Sequence, residues 1–171
     1  MIFYSADLQI SHCHPRQLKA KPDVKDLVFG KVYTDHMLRV SWNNGTWGKP
    51  RIIPFENLSL HPASKVLHYA QELFEGMKAY RGADNVIRLF RPMHNMIRMA
   101  NTAHRSCLPD FDGAELLACI RQLVQIESEW VPHSESSSLY IRPYLIGTEP
   151  ALGLASSSEA ELICICSVST F

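Results

Sequence analysis

Apolar and polar positions alternate most plainly in SSSLYIRPYLI, residues 136–146. There Leu139, Ile141 and Leu145 fall on one side of an extended chain, and Tyr140, Arg142 and Tyr144 on the other. That predicts a strand to about Ile146 with one core face. The second face carries a guanidinium between two phenols. It suits gripping a small anionic ligand, and it equally suits a solvated strand face. ELICICSV, residues 161–168, reads as a buried closing strand, and GTEPALGL before it as a turn-rich loop. Upstream, HMLRVSWNNGTWGKPRIIPF predicts a strand over about 37–42, a tight turn at Asn44-Gly45 and a second strand over about 50–55. Pro50 and Pro54 should push that second strand to an edge or a bulge.

Helical spacing comes next. Leu67, Ala70 and Leu73 or Phe74 in SKVLHYAQELFEG predict a helix ending at Gly76. MKAYR and VIRLF, joined through Gly82–Asn85, predict a hairpin. Pro92 opens a helix whose apolar face should be Met93, Met96, Ile97, Ala100, Ala103 and Cys107, with Leu108-Pro109 ending it; Met99 fits core or helix surface. Asp112 and Glu115 form a capping pattern ahead of an apolar stripe of Leu116, Leu117, Ile120, Leu123 and Val124. Residues 133–138 read as a loop. Strands and helices in such segregated runs predict an α+β domain, with a mainly antiparallel sheet flanked by helices, over 27–171. Residues 1–26 read as an irregular, polar lead.

Composition narrows the function. Charged residues at 20% and apolar ones at 46% describe an ordinary globular chain. Seventeen basic residues against seventeen acidic ones leave no field to attract nucleic acid, and no apolar run nears the roughly 18 residues of a membrane span. Neither partner is expected. The N-terminus lacks the basic and apolar regions of a secretory signal, and Asp7, with no arginine before Arg16, argues against a mitochondrial leader. A cytoplasmic chain is expected, or a mitochondrial one where a leader lies upstream.

The five cysteines are spread out with no CxxC pair, so no metal site is expected; Cys164 and Cys166 share one strand face. His12 and His14 flank Cys13 and read as incidental. GxGxxG, P-loop, HExxH and GxSxG patterns are absent. On the Pro92 helix Arg98 has Asn95, Asn101, Thr102 and Arg105 roughly on its side. That stripe fits an anion grip and fits a solvated helix face.

Longer motifs carry more. TDHML, SLHPAS, LHYAQELFEGMKAYRG, IRLFRP, NMIRMA, LYIRP and IGTEPALG occur in one order from about Ala6 to Ser167. Together they resemble the eukaryotic branched-chain amino acid aminotransferases, fold-type IV enzymes that use pyridoxal 5'-phosphate and work as homodimers. The resemblance implies transfer of an amino group between leucine, isoleucine or valine and 2-oxoglutarate, and so partners among branched-chain amino acids and 2-oxo acids.

On matching positions it implies a substrate pocket lined by Tyr140 and Arg142 and walled by Phe29, Tyr69 and Phe74. Tyr69, with Leu152 and Leu154, would act across the dimer interface. Arg98 would meet the cofactor phosphate. The residue before it, usually Asp in the family, is Ile97 here, which would loosen its support.

The family's cofactor-holding lysine lies beyond the equivalent of Phe171, in a second and larger domain; Lys65 and Lys78 do not match it. No catalytic residue is therefore assigned. The expectation is a small domain inactive alone, exposing apolar surface and prone to associate. A truncated protein that dimerises with the full-length enzyme, and a stand-alone binding module, share every residue of this reading.

Overall fold

The computed structural model describes residues 2–23, 28–134 and 136–170. The expected start of the domain at Leu27 lies outside the described residues. Among those described, the strands are β1 (Gln9–Ile10), β2 (His36–Asn43), β3 (Thr46–Trp47), β4 (Arg51–Pro54), β5 (Glu72–Phe74), β6 (Met77–Arg81), β7 (Ile87–Leu89), β8 (Ser137–Gly147) and β9 (Glu159–Thr170). The helices are α1 (Lys65–Tyr69), α2 (Pro92–Arg105) and α3 (Gly113–Ile126). One sheet runs β1-β4-β2-β9-β8-β6-β7, with β3 added to β2 and β5 to β8. Only the short β1–β4 pair is parallel, so the expected α+β domain with a mainly antiparallel sheet is what forms.

β8 is the spine. It pairs along its whole length with β9, from Ser137↔Thr170 to Gly147↔Ala160. Leu139, Ile141 and Leu145 are fully buried and join one core with Met96 and Met99 of α2 and Leu116, Ile120 and Leu123 of α3. Both long helices therefore cover one face of the sheet. On the other face Tyr144 packs with Ile163, Phe55, Leu58 and Leu60, where the segment after β4 folds over it. Tyr140 and Arg142 lie beyond that cover and are half-buried.

Local chemistry explains several elements. Asn44 and Gly45 take φ 44° and 87°, and the turn closes Trp42 against Trp47. Asp112 caps α3, its Oδ1 accepting from the Ala114 and Glu115 amides at 2.8 and 3.2 Å. Glu115 does not close the capping box; its carboxylate instead accepts from the Ser5 amide at 2.6 Å. β4 is not an edge: Pro50 lacks a donor but still accepts from the Gln9 amide at 2.9 Å, which seats β1 outside it.

Further expectations change. The helix after Ser64 ends at Tyr69, because Ala70 turns left-handed (φ 48°) and the chain enters β5. Leu73 and Phe74 pair with Leu145 and Tyr144, so a long-range ladder overrides the local helical period. The buried face of α2 is Asn95, Met96, Met99 and Ala103, while Met93, Ile97 and Cys107 are exposed. Asn95 is drawn in by bonds to Glu75 and Gly76, and the helix rolls with it. Met96 Cβ also lies 2.9 Å from where a Gly113 side chain would begin, so that glycine admits the close approach of α2 and α3.

The N-terminal lead is tied down more than its polarity suggested. The Cys13 amide donates to His36 Nε2 at 2.8 Å, which leaves the proton on Nδ1 to bond Glu127 Oε1 at 2.6 Å. Burial pushes the Glu127 carboxyl up against the opposing effect of His36. Asp35 accepts from the Lys19 amide and from Trp130 Nε1. Cys164 and Cys166 are buried core residues. No helix among the described residues is long and apolar enough to cross a membrane.

Candidate functional site

The register of β8 sets the site. β5 pairs with Tyr144 to Ile146 and β6 with Leu139 to Ile141, so Glu75 and Gly76 fall opposite Arg142 and Pro143. Pro143 cannot donate to a ladder, although its carbonyl accepts from the Glu75 amide at 2.9 Å. The partner strand is interrupted there, between the end of β5 at Phe74 and the start of β6 at Met77.

Gly76 is required at that interruption for space, its φ being ordinary. A Cβ on it would lie 2.2 Å from the Tyr140 hydroxyl and 2.9 Å from Tyr140 Cζ. Tyr140 Oη accepts from Arg142 Nε at 3.1 Å and Nη2 at 2.6 Å. Arg142 lies over the Phe74 ring with its guanidinium carbon 4.1 Å from the centroid. The Phe29 ring meets Tyr140 edge-on, centroids 5.1 Å apart. Four residues from three separate stretches of chain thus form one cluster. A cavity of about 180 Å³ is lined by Phe29, Gly30, Tyr33, Tyr140, Arg142, Ile165 and Ser167. Tyr33 and Ser167 brace it, donating to the carbonyls of Gly30 and Val32.

Tyr140 is also a wall of a second cavity, of about 490 Å³, with Gly76, Lys78, Arg91, His94, Asn95 and Arg98. Arg98 donates through Nε and Nη2 to the two oxygens of Glu75 at 2.9 and 2.8 Å. Glu75 in turn accepts from Asn95 Nδ2 at 3.0 Å. Burial pushes the Glu75 carboxyl up, but the bonds from Arg98 and Asn95 outweigh it and hold it below the ordinary glutamate range. Glu75 likewise raises Arg98.

Ile97 is exposed and plays no part in this fork, so the expected loosening of Arg98 does not follow; Glu75 holds Arg98 and is itself held by Asn95. Of the stripe around Arg98, Thr102 bonds back to the Arg98 carbonyl, and Asn101 and Arg105 are exposed outside the cavity lining.

Tyr69, Leu152 and Leu154 stand apart from this cluster. The Tyr69 hydroxyl donates to the Leu152 carbonyl. Tyr69 and Leu154 line a third cavity of about 460 Å³ with Ala70, Gln71, Ser106 and Ala155. All three are exposed, Leu154 at 90%. Sequence reasoning missed Glu75 and Tyr33, and placed Asn95 beside Arg98 without its bond to Glu75. Glu75 alone left a trace, as the charge beside the glycine of the LFEG motif.

No protein-family model matches the chain. In fold it is similar to the T.th. branched-chain amino acid aminotransferase complexed with N-(5'-phosphopyridoxyl)-L-glutamate: TM-score 0.55 and 27% identity, over 75% of this chain and 40% of that one. The same protein complexed with 4-methylvaleric acid also scores 0.55. The architecture is therefore an aminotransferase one.

Sequence goes further. The mitochondrial branched-chain-amino-acid aminotransferase of Mus musculus is 54% identical over 99% of this chain, and the cytosolic one of Ovis aries is 61% identical over 88%. The chain belongs to the branched-chain-amino-acid aminotransferase family. It spans 44% and 39% of the length of those two relatives.

Proposed function

We propose that these residues form the small domain of a pyridoxal-phosphate-dependent transaminase for leucine, isoleucine and valine with 2-oxoglutarate, and that the groups holding the cofactor ring come from sequence outside them. The observation that carries this reading is the convergence of Phe29, Phe74, Tyr140 and Arg142 beside the Arg98 cavity.

The cavity fits the cofactor's phosphate in charge: Arg98, Lys78 and Arg91 line it with no carboxylate among its described lining residues, and Glu75 pairs with Arg98 beside it. When bound, pyridoxal 5'-phosphate supplies the electron sink for amino transfer. The chain's own residues bind and orient. Glu75 takes the Nε–Nη2 edge of Arg98, leaving Nη1 for a phosphate oxygen. Tyr140 accepts two bonds from Arg142, so its own hydroxyl proton is left to donate to a ligand carboxylate. The Arg142 charge offsets that carboxylate. Phe29 and Phe74 give an aliphatic side chain an apolar wall and keep water off the paired charges.

One pocket thereby takes a branched aliphatic chain and an acid. Tyr69, Leu152 and Leu154 act in the neighbouring subunit of a homodimer, and their exposure supports that. Nucleic acid and membrane are not partners in this reading. Cytoplasmic placement belongs to this reading with a mitochondrial one as its alternative, since the cytosolic relative of Mus musculus is 61% identical over 151 residues and the mitochondrial one 54% over 172.

The test is a side-chain-resolved NMR titration of this chain with 2-oxoglutarate and with 4-methyl-2-oxopentanoate. Millimolar affinity, roughly 4 kcal/mol of binding free energy, is enough to read. Shifts confined to Phe29, Phe74, Tyr140 and Arg142, and lost in Arg142→Met, are expected for the dicarboxylate. Shifts elsewhere, or none at either ligand, overturn the reading.

A further inference from the structure

Lys65 is buried, only 2% exposed, and nothing in the proposed reaction uses it. It begins α1, where its amide donates to the Glu149 carbonyl at 3.2 Å. Its ammonium has three hydrogens and meets three acceptors: the carbonyls of Ala155 at 2.7 Å and Ser156 at 3.3 Å, and Glu149 Oε2 at 2.9 Å. The same Glu149 oxygen also accepts from the Ser158 amide at 2.9 Å, and the Glu149 amide donates to Ser157 Oγ at 3.2 Å. The segment from Glu149 to Ser158 is thus wrapped around one buried cation.

Between those anchors the strand pairing among the described residues is limited to one isolated bridge, Pro150 with Ser64, and the tip carries Leu152 and Leu154, both exposed. Two exposed leucines gain nothing from water by holding a fixed shape, so something else must order the loop. The last residue of the same helix helps, since Tyr69 donates to the Leu152 carbonyl. α1, five residues long, therefore grips the loop at its root through Lys65 and near its tip through Tyr69. A lysine removed from water at this depth is stable only with its acceptors in place. Its burial and the loop's shape require each other.

We propose that Lys65 is the positioning residue of the 149–158 loop, fixing the surface on which Leu152 and Leu154 meet a second copy of this chain. This rests on the reading of that surface as the subunit contact. It adds the device that sets its shape: the buried charge orders the loop before association, so the docking step does not bear that cost. Lys65 itself touches no ligand. Its effect travels through Glu149 and two backbone carbonyls.

The test uses the 171-residue chain and its Lys65→Met variant, which keeps the length of the side chain and removes the cation. Hydrogen exchange and sedimentation equilibrium are read side by side. In Lys65→Met the Ala151, Ala155 and Ser158 amides should lose at least about tenfold protection, while amides of the β8–β9 ladder exchange as in the wild type. Self-association should weaken by about tenfold or more, because the loop must then be ordered on binding.

Unchanged exchange across 149–158 overturns the positioning role. Loosened exchange with unchanged association overturns the link to docking. A wild-type chain that stays monomeric at every concentration overturns the contact surface itself, and the proposal with it. Where Lys65→Met fails to fold, Glu149→Gln is measured in its place: it keeps the lysine and weakens only the clamp, and the same two readouts decide.

Discussion

Two groups of residues that the family resemblance joins in one pocket stand on very different foundations. Tyr140 and Arg142 belong to β8, a strand bonded on both sides, with fully buried leucine and isoleucine beneath them. Tyr69, Leu152 and Leu154 belong to a five-residue helix and a loop paired to it by one isolated bridge, Pro150 with Ser64. The first group inherits its precision from the sheet; the second depends on a few polar anchors, Lys65 and Glu149 above all. What differs is the source of the ordering free energy. Buried apolar area fixes the first cluster and would do so whatever its polar tips were. Hydrogen bonds to one cation fix the second, and they fail together when it is removed.

The contrast is sharpest in stability. Ile141→Ala removes buried volume beneath Tyr140 and Arg142 and should cost about 2–5 kcal/mol in urea unfolding. Leu152→Ala should change the same measurement by no more than about 0.5 kcal/mol. A comparable cost at both sites would erase the distinction between them.

Gly76→Ala comes next. The added methyl meets the Tyr140 ring, which Phe29 and Arg142 hem in from other directions, so about 1–3 kcal/mol should be lost. The Phe29–Tyr140 ring contact should disappear from nuclear Overhauser spectra in the same variant.

Acid separates the regions less in size than in readout. Glu75 and Glu149 both lie below the ordinary carboxyl range. Bonds from Arg98 and Asn95 prevail over burial at the first; at the second the Ser158 amide leads and Lys65 follows. A lowered carboxyl contributes stability that is complete above its unfolded value, about 4.3, and is lost as pH falls through the folded value below it. Between pH 7 and 5 neither region should change. Below about pH 4 the Arg98 side-chain signals should sharpen toward free arginine, and the 149–158 amides should exchange faster. Loss of either arrangement near neutral pH would contradict the assigned pairings.

The smallest effect on the fold is expected at Leu154, which is 90% exposed. Leu154→Asp should leave unfolding within about 0.5 kcal/mol of wild type while lowering self-association by sedimentation. Unaltered association would remove the loop tip from the subunit contact.

Much of the fold was legible in the chain because the deciding interactions are local. Asn44-Gly45 carries its own turn, and Asp112 its own cap. The alternation over 139–145 announced which face of β8 would be buried, and so placed Tyr140 and Arg142 together on the other. Length-spanning motifs gave the family without reference to any contact.

Other features belong to the tertiary structure, since each is a competition between a local preference and a distant partner. Residues 72–74 have helical spacing and become a strand because β8 offers an unpaired edge. The face of α2 is chosen by Asn95 reaching Glu75 and Gly76, about twenty positions earlier in the chain. Arg98 is steadied by Glu75, not by its sequence neighbour, where the ladder is interrupted opposite Pro143. Nothing in the sequence around Lys65 announces its burial, which comes from residues 149–156 closing over it. Sequence determined which surfaces would be apolar and which turns would be tight; which charge meets which was decided when strands far apart in the chain came into register.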